Sequence, residues 1–145
     1  MIAEIFTDVE FICTTSLYVA IAASSGYPIW RYHFNASFPN TQGFPGAGVY
    51  HSSEISIVFG TYPTVNTTAQ EYALSNSMQT AWARFAKEPM SGPGWGRVGG
   101  KLQPDLGVFG ANGTSGLTLA PQSDIDSKCG LYDPIYELWI GGIEP

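Results

Sequence analysis

Positive charge is scarce in this sequence. Six lysines and arginines stand against 12 aspartates and glutamates among 145 residues, which gives a formal net charge of -6. A chain with this charge repels a phosphate backbone and an anionic membrane surface. The composition therefore predicts no nucleic-acid partner.

The sequence also lacks a long hydrophobic run and a basic leader. The longest strongly apolar stretch, Leu17 to Ala23, is far shorter than the roughly 20 residues that cross a bilayer. The N-terminal Met1-Ile2-Ala3-Glu4 carries an acid where a signal peptide has lysine or arginine. We expect no transmembrane segment and no export signal in these residues.

Histidine and cysteine are rare, with two of each. Neither pair has the Cys-x-x-Cys or His-x-x-x-His spacing of a zinc or iron–sulfur site. The sequence contains no glycine-rich phosphate loop, and Gly113-Thr114-Ser115-Gly116 lacks the spacing of a Gly-x-Ser-x-Gly nucleophile turn. The sequence predicts no metal, no cofactor and no activated serine.

What is present suits one globular domain, since 44% of the residues are hydrophobic and 14% are aromatic. Thr7-Asp8-Val9-Glu10 has the form of a capping box and predicts a helix over 8–24 that ends before Gly26. The β-branched and aromatic residues of 27–34 predict a strand. No boundary divides the chain.

The middle of the chain combines a long Pro/Gly loop, 35–50, with a second helix. The segment 54–60 is apolar and short, and its type stays open. Thr68-Ala69-Gln70-Glu71 is another capping box, and the helix it begins ends before Pro89. Its apolar stripe, at spacings of three and four, consists of Leu74, Met78, Ala81, Trp82 and Phe85.

The tail carries two short apolar runs, 106–109 and 117–120, on either side of Asn112-Gly113. This arrangement predicts a β-hairpin, although the long connection leaves the register open.

Each histidine has two readings. His51 follows the glycine-rich loop and precedes Glu54 by three residues, so it is either a general base or an ordinary loop histidine. His33 falls inside the predicted strand, where a hydrogen-bonded structural role is expected.

Three Asn-x-Ser/Thr sequons, at Asn35, Asn66 and Asn112, favour a secreted glycoprotein, as do the cysteines Cys13 and Cys129 near opposite ends. Chance sequons and free buried cysteines are the alternatives. The missing export signal conflicts with secretion, and a chain that has lost its beginning would resolve that conflict.

The order of the motifs carries a family resemblance. The sequence runs through Thr7-Asp8-x-x-Phe11-x-Cys13, Trp30-Arg31-Tyr32-x-Phe34, His51-Ser52-Ser53-Glu54, Val58-Phe59-Gly60, Met78-x-x-x-Trp82-x-x-Phe85-Ala86, Trp95 and Cys129. It closely resembles the C-terminal part of the type-B carboxylesterases, the family of cholinesterases and many fungal lipases and esterases.

The resemblance implies an α/β fold, in which residues 1–145 form the C-terminal portion of an α/β-hydrolase. This portion comprises a late sheet strand, a histidine loop, packing helices and a turn-rich tail with short strands. It is incomplete as a domain, because the upstream part of the same fold is missing. The resemblance also implies that Cys13 and Cys129 form a disulfide.

By the same resemblance, His51 is the base of a Ser-acid-His triad. Glu54 is the carboxylate that holds the histidine loop from a buried position, with a surface ion pair as the alternative. Phe44 and Tyr50 either line the substrate gorge or pack the loop.

The implied function is that of a secreted, extracellular serine esterase acting on small-molecule or lipid esters. Its serine, oxyanion loop and triad acid lie upstream in the family, so we expect no turnover from this chain alone. A non-catalytic cholinesterase-like interaction module is the alternative. The presence of His51 beside Glu54 favours the esterase.

Overall fold

The computed structural model describes residues 2–140, which leaves Met1 and 141–145 of the single expected segment outside the described residues. The α-helices in this part of the chain are Ile2–Thr7 (α1), Cys13–Ser24 (α2), Ile55–Phe59 (α3), Ala69–Lys87 (α4), Ser123–Asp126 (α5) and Asp133–Ile140 (α6). The strands are Arg31–Phe34 (β1), Leu106–Phe109 (β2) and Leu117–Ala120 (β3). The protein is thus of the α/β class.

The three strands form one mixed sheet in the order β1-β2-β3. β1 and β2 are parallel, with Arg31 opposite Leu106 and Phe34 opposite Phe109. α3 and α4 lie between these strands in the chain, as parallel pairing requires a long crossover connection. Within residues 2–140, the other edge of β1 has no strand beside it.

The N-terminal helix begins earlier than the capping box predicts. α1, a π-helical turn at Asp8–Ile12 and α2 form one continuous helix. Thr7 is itself helical (φ -61°, ψ -44°), and its hydroxyl donates to the carbonyl of Ala3 at 2.8 Å. A threonine inside a helix can bond the preceding turn in this way instead of capping. The prediction that Thr7 caps a helix beginning at residue 8 is therefore wrong, because the helix already begins at Ile2.

This continuous helix, Ile2–Ser24, has 23 residues. In its most apolar 18-residue stretch, only 11% is buried inside the structure. By length and composition alone, it is long and apolar enough to cross a membrane. The shortness of the apolar run Leu17 to Ala23, from which the sequence predicts no transmembrane segment, therefore does not exclude a membrane-spanning helix here. Signal sequences and the core helices of soluble proteins meet the same criterion.

The second predicted helix is confirmed in α4. The Thr68 hydroxyl accepts a hydrogen bond from the backbone N–H of Glu71 at 3.0 Å, which is the predicted cap. Leu74 and Met78 are fully buried. Phe85, at the end of the predicted stripe, is 42% exposed, so the stripe is buried only in its first part.

Strand and turn predictions are partly confirmed. β1 is shorter than the predicted strand 27–34, and Tyr27 at its expected start is 70% exposed. The undecided segment 54–60 contains α3, which ends at Gly60 with a positive φ of 64°. The predicted hairpin is β2–β3, and its register places Leu106 opposite Ala120.

The core lies where the sheet meets α3 and α4. Its buried members are Phe34, Ala36, Phe38, Ile57, Val58, Leu74, Met78, Ala81, Trp95 and Phe109. This packing positions the connection between β1 and α3, which carries the candidate site.

Residues 126–129 of the tail are joined to the N-terminal helix and to β1 by a disulfide and by ion pairs. A disulfide joins Cys13 to Cys129 across 116 residues, the pairing that the family resemblance implies. The buried Arg31 guanidinium pairs with Asp126 at 2.6 Å. Asp8 lies 3.5 Å from the ammonium of Lys128.

Candidate functional site

His51 lies in a tight turn that leads directly into α3, and its side chain is exposed. The turn is held by its own backbone, since the N–H of Ser53 donates to the Tyr50 carbonyl at 3.0 Å. The Ser53 hydroxyl accepts from the Tyr50 N–H at 3.3 Å. The turn therefore fixes the backbone on both sides of His51.

Ser52, the next residue, has a φ of 71°. This left-handed conformation is uncommon for a residue with a side chain and costs of order 1–3 kcal/mol. Such strained residues cluster at active sites and ligand clamps. The strained residue here is the immediate neighbour of the candidate base.

Glu54 is half-buried at the end of the same turn, and its carboxylate accepts a hydrogen bond from the Tyr32 hydroxyl at 3.5 Å. Burial raises the pKa of Tyr32 to about 12, and the Glu54 charge and this hydrogen bond act in the same direction. The phenol thus keeps its proton and remains a donor to the carboxylate. This contact ties the histidine turn to β1.

An aromatic ring from the N-terminal helix contacts His51. The Phe11 and His51 rings are stacked, with centroids 5.2 Å apart and planes at 28°. Among the described residues, no hydrogen bond joins the imidazole to Glu54 or to a serine. The structure therefore brings His51 and Glu54 onto one turn without placing them in contact.

Phe44 and Tyr50 differ in their surroundings. Phe44 is 67% exposed in the Pro/Gly loop. The Tyr50 hydroxyl donates to the carbonyl of Thr41 at 2.8 Å, which packs that loop upon itself. The contacts of Tyr50 thus match the packing alternative.

His33 lies in β1 and is half-buried. Burial and, to a lesser degree, the positive charge of Arg31 hold the pKa of its imidazole below the usual value. The expected hydrogen bond to its ring is not found within residues 2–140. His33 thus lies in the predicted strand with a half-buried imidazole.

The sequon asparagines Asn35, Asn66 and Asn112 are all exposed. Asn66 and Asn112 have positive φ values of 62° and 52°, as asparagine tolerates in turns. All three sequons thus place their asparagine at the surface of the folded chain.

Sequence reasoning gave no role to the two aromatic residues that contact the site, Phe11 and Tyr32. Both stand in the motifs that carry the family resemblance, which was the available signal. Periodicity does not show that Phe11 reaches His51, because this contact depends on the path of the π-helical turn.

A family model and several known proteins match the sequence of this chain. A model described as the carboxylesterase family matches residues 1–101. Secreted lipase 5 of Gibberella zeae is 35% identical over 97 residues, which cover 64% of this chain and 18% of the lipase. No solved structure shows a significant match.

Two further relatives are esterases by name. Chlorogenic acid esterase of Aspergillus niger is 36% identical over 66 residues, covering 44% of this chain and 13% of that enzyme. Acetylcholinesterase of Leptinotarsa decemlineata is 27% identical over 128 residues, covering 85% of this chain and 20% of that enzyme. The chain thus spans about a fifth or less of the length of these relatives.

Proposed function

Since this chain belongs to the carboxylesterase family, we propose that it is the C-terminal part of a secreted serine carboxylic ester hydrolase in which His51 is the triad base. The family implies the α/β-hydrolase fold, where the triad histidine follows a late strand of the sheet. The observation that carries the proposal is the exposed His51, on a hydrogen-bonded and strained turn after β1.

In this role, His51 takes the proton of an upstream serine as that serine attacks the ester carbonyl. It then returns the proton to the leaving alkoxide. The ring is stacked on Phe11, and stacking occupies a ring face while leaving the two nitrogens at the ring edge. One nitrogen is then available to the serine and the other to the triad acid.

Glu54 supports His51 without touching it. Its carboxylate is bonded to Tyr32 on β1, so it holds the end of the histidine turn against the sheet. Partners of this kind orient a reactive group without touching the substrate.

The missing partner is the upstream part of the same fold, and this chain alone is inactive. The relatives are much longer than the matched segment, and a serine elbow, an oxyanion loop and a triad acid are all needed for efficient turnover. The largely exposed N-terminal helix and the edge of β1 that has no neighbouring strand within residues 2–140 support a partner that covers both. The substrate class is a small-molecule or lipid ester.

Extracellular localisation is supported by the disulfide, which persists in oxidising compartments. A secreted lipase among the relatives and three exposed sequons also favour it. We propose glycans on Asn35, Asn66 and Asn112.

The test is completion of the enzyme. The N-terminal part of the Gibberella zeae lipase is fused ahead of this chain, and hydrolysis of a nitrophenyl ester is measured. His51→Ala should lower kcat by about 10⁴-fold or more, because triad members act as a unit.

His33→Ala is the matched control, since it removes the other histidine from β1 and should act only on stability. An active fusion in which His51→Ala keeps near-parental turnover would contradict the assignment. A folded fusion that hydrolyses no ester would instead favour the non-catalytic cholinesterase-like module.

A further inference from the structure

The π-helical turn at Asp8–Ile12 interrupts the N-terminal helix next to the candidate site. π-helical turns are rare and occur frequently at functional sites. This one lies between two α-helical segments and carries Phe11, whose ring faces His51. A straight α-helix with the same sequence would give Phe11 a different direction, because side-chain direction follows the local residues per turn.

Side chains from outside the helix donate hydrogen bonds to two carbonyls of this turn, and one of these, that of Val9, also accepts from the Thr14 hydroxyl within the helix at 2.6 Å. The Tyr136 hydroxyl, from α6, donates to the Val9 carbonyl at 2.6 Å. The Arg31 guanidinium, from β1, donates to the Ile12 carbonyl at 3.0 Å. Tyr136 and Arg31 are both buried, so these bonds are shielded from competing water.

The tail holds the turn at two further points. Asp8, its first residue, pairs with Lys128, and Cys13, the residue after its end, is bonded to Cys129. The turn is thus fixed at both ends and at an internal carbonyl by residues of the last part of the chain.

From these contacts we infer that Phe11 is a positioning residue for His51 and that the tail sets its position through the π-helical turn. The Phe11 ring covers one face of the imidazole and restricts rotation of the histidine about its side-chain bonds. Tyr136 holds the turn in the form that aims Phe11 at His51. The consequence for turnover rests on the proposed function, whereas the restriction of the ring does not.

The first experiment measures the NMR chemical shifts of the His51 ring protons and needs no turnover. The histidines of the chain are isotopically labelled, and the spectrum is recorded in dilute solution. The His51 signals are assigned as those that disappear in His51→Ala. Stacking on Phe11 shifts them upfield through the ring current, so Phe11→Leu should abolish that shift. Phe11→Tyr keeps an aromatic ring and should retain it.

Phe6→Leu is the matched control. Phe6 lies on the same helix and packs T-shaped against Phe11 with ring centroids 6.0 Å apart, and no ring contact to His51 is found for it among the described residues. It should leave the His51 resonances in place. Tyr136→Phe should move them in the direction of Phe11→Leu by a smaller amount. His51 resonances unmoved by Phe11→Leu would overturn the inference, and resonances unmoved by Tyr136→Phe would overturn the part played by the tail.

The second experiment uses the active fusion. Phe11→Leu should lower kcat by roughly three- to tenfold, the range that a single aromatic contact supplies. KM should be unchanged, since Phe11 is not proposed to touch the substrate. Phe11→Tyr should restore kcat. A rise in KM at constant kcat would show a substrate contact instead, and an inactive parental fusion would refute the proposed function while the NMR result still decides the role of Phe11.

Discussion

Ser52 shows that the candidate base is flanked by unfavourable backbone. Its φ of 71° is one that glycine adopts without steric cost. We expect Ser52→Gly to raise the free energy of unfolding by up to about 1 kcal/mol, because relief of the strain exceeds the entropy that glycine adds to the unfolded chain. Urea denaturation of the two proteins measures the difference.

The matched variant is Ser56→Gly, which lies in α3 with helical backbone. It should lower the free energy of unfolding by about 0.5 kcal/mol, since glycine is a poor helix former. Equal destabilisation by both variants would contradict a strained Ser52.

His33 makes stability depend on pH. Its pKa is lowered in the folded chain, so the unfolded chain binds a proton more readily. The stability contributed by the neutral imidazole is complete above the usual histidine pKa of about 6.5 and is lost as the pH falls through the lower folded value. We expect the urea midpoint to decrease as the pH falls below about 6.5.

His33→Gln removes this titrating group and should make the decrease smaller. An equally steep decrease in the variant would show that other groups cause it. Urea titrations of both proteins at a series of pH values provide the measurement.

At the scale of the element, α4 depends on its cap. Thr68→Ala removes the hydroxyl that accepts from the Glu71 N–H and should cost about 1 kcal/mol of unfolding free energy. Thr68→Ser keeps the acceptor and should recover most of that loss. Thermal and urea denaturation distinguish the two variants, and equal loss in both would exclude capping as the cause.

The two Thr-x-x-Glu motifs show how well a short sequence motif predicts the start of a helix. Thr68 caps α4, whereas Thr7 lies inside a helix, although both motifs fit the same pattern. The difference comes from the preceding residues, because 2–6 continue the helix upstream of Thr7. Whether such a segment is helical depends on tertiary contacts that a short motif does not contain.

Some residues of the candidate site could be predicted from the sequence, and others could not. The family motifs identify His51 and Glu54, because their chemistry depends on residue type and order. Phe11 and Tyr32 reach the site only through a π-helical turn and the path of β1. Contacts of this kind arise from the packing of distant segments and have no periodic signal in the sequence.

For the whole molecule, the disulfide is the largest single constraint. It closes a loop of 116 residues, and in the chain-entropy model such a loop stabilises the fold by about 5 kcal/mol. Reduction should therefore lower the urea midpoint substantially, and Cys129→Ser should do the same without reductant. Two freely alkylatable thiols in folded, secreted material would contradict the bond.

The parallel pairing of β1 with β2 also has a consequence for biosynthesis. Arg31 lies opposite Leu106, so the partners are 106 - 31 = 75 residues apart. At about 5–20 residues per second, a ribosome needs roughly 4 to 15 seconds to extend the chain from one to the other. During this interval a nascent β1 has left the ribosome without β2, and chaperone binding has time to compete with sheet formation.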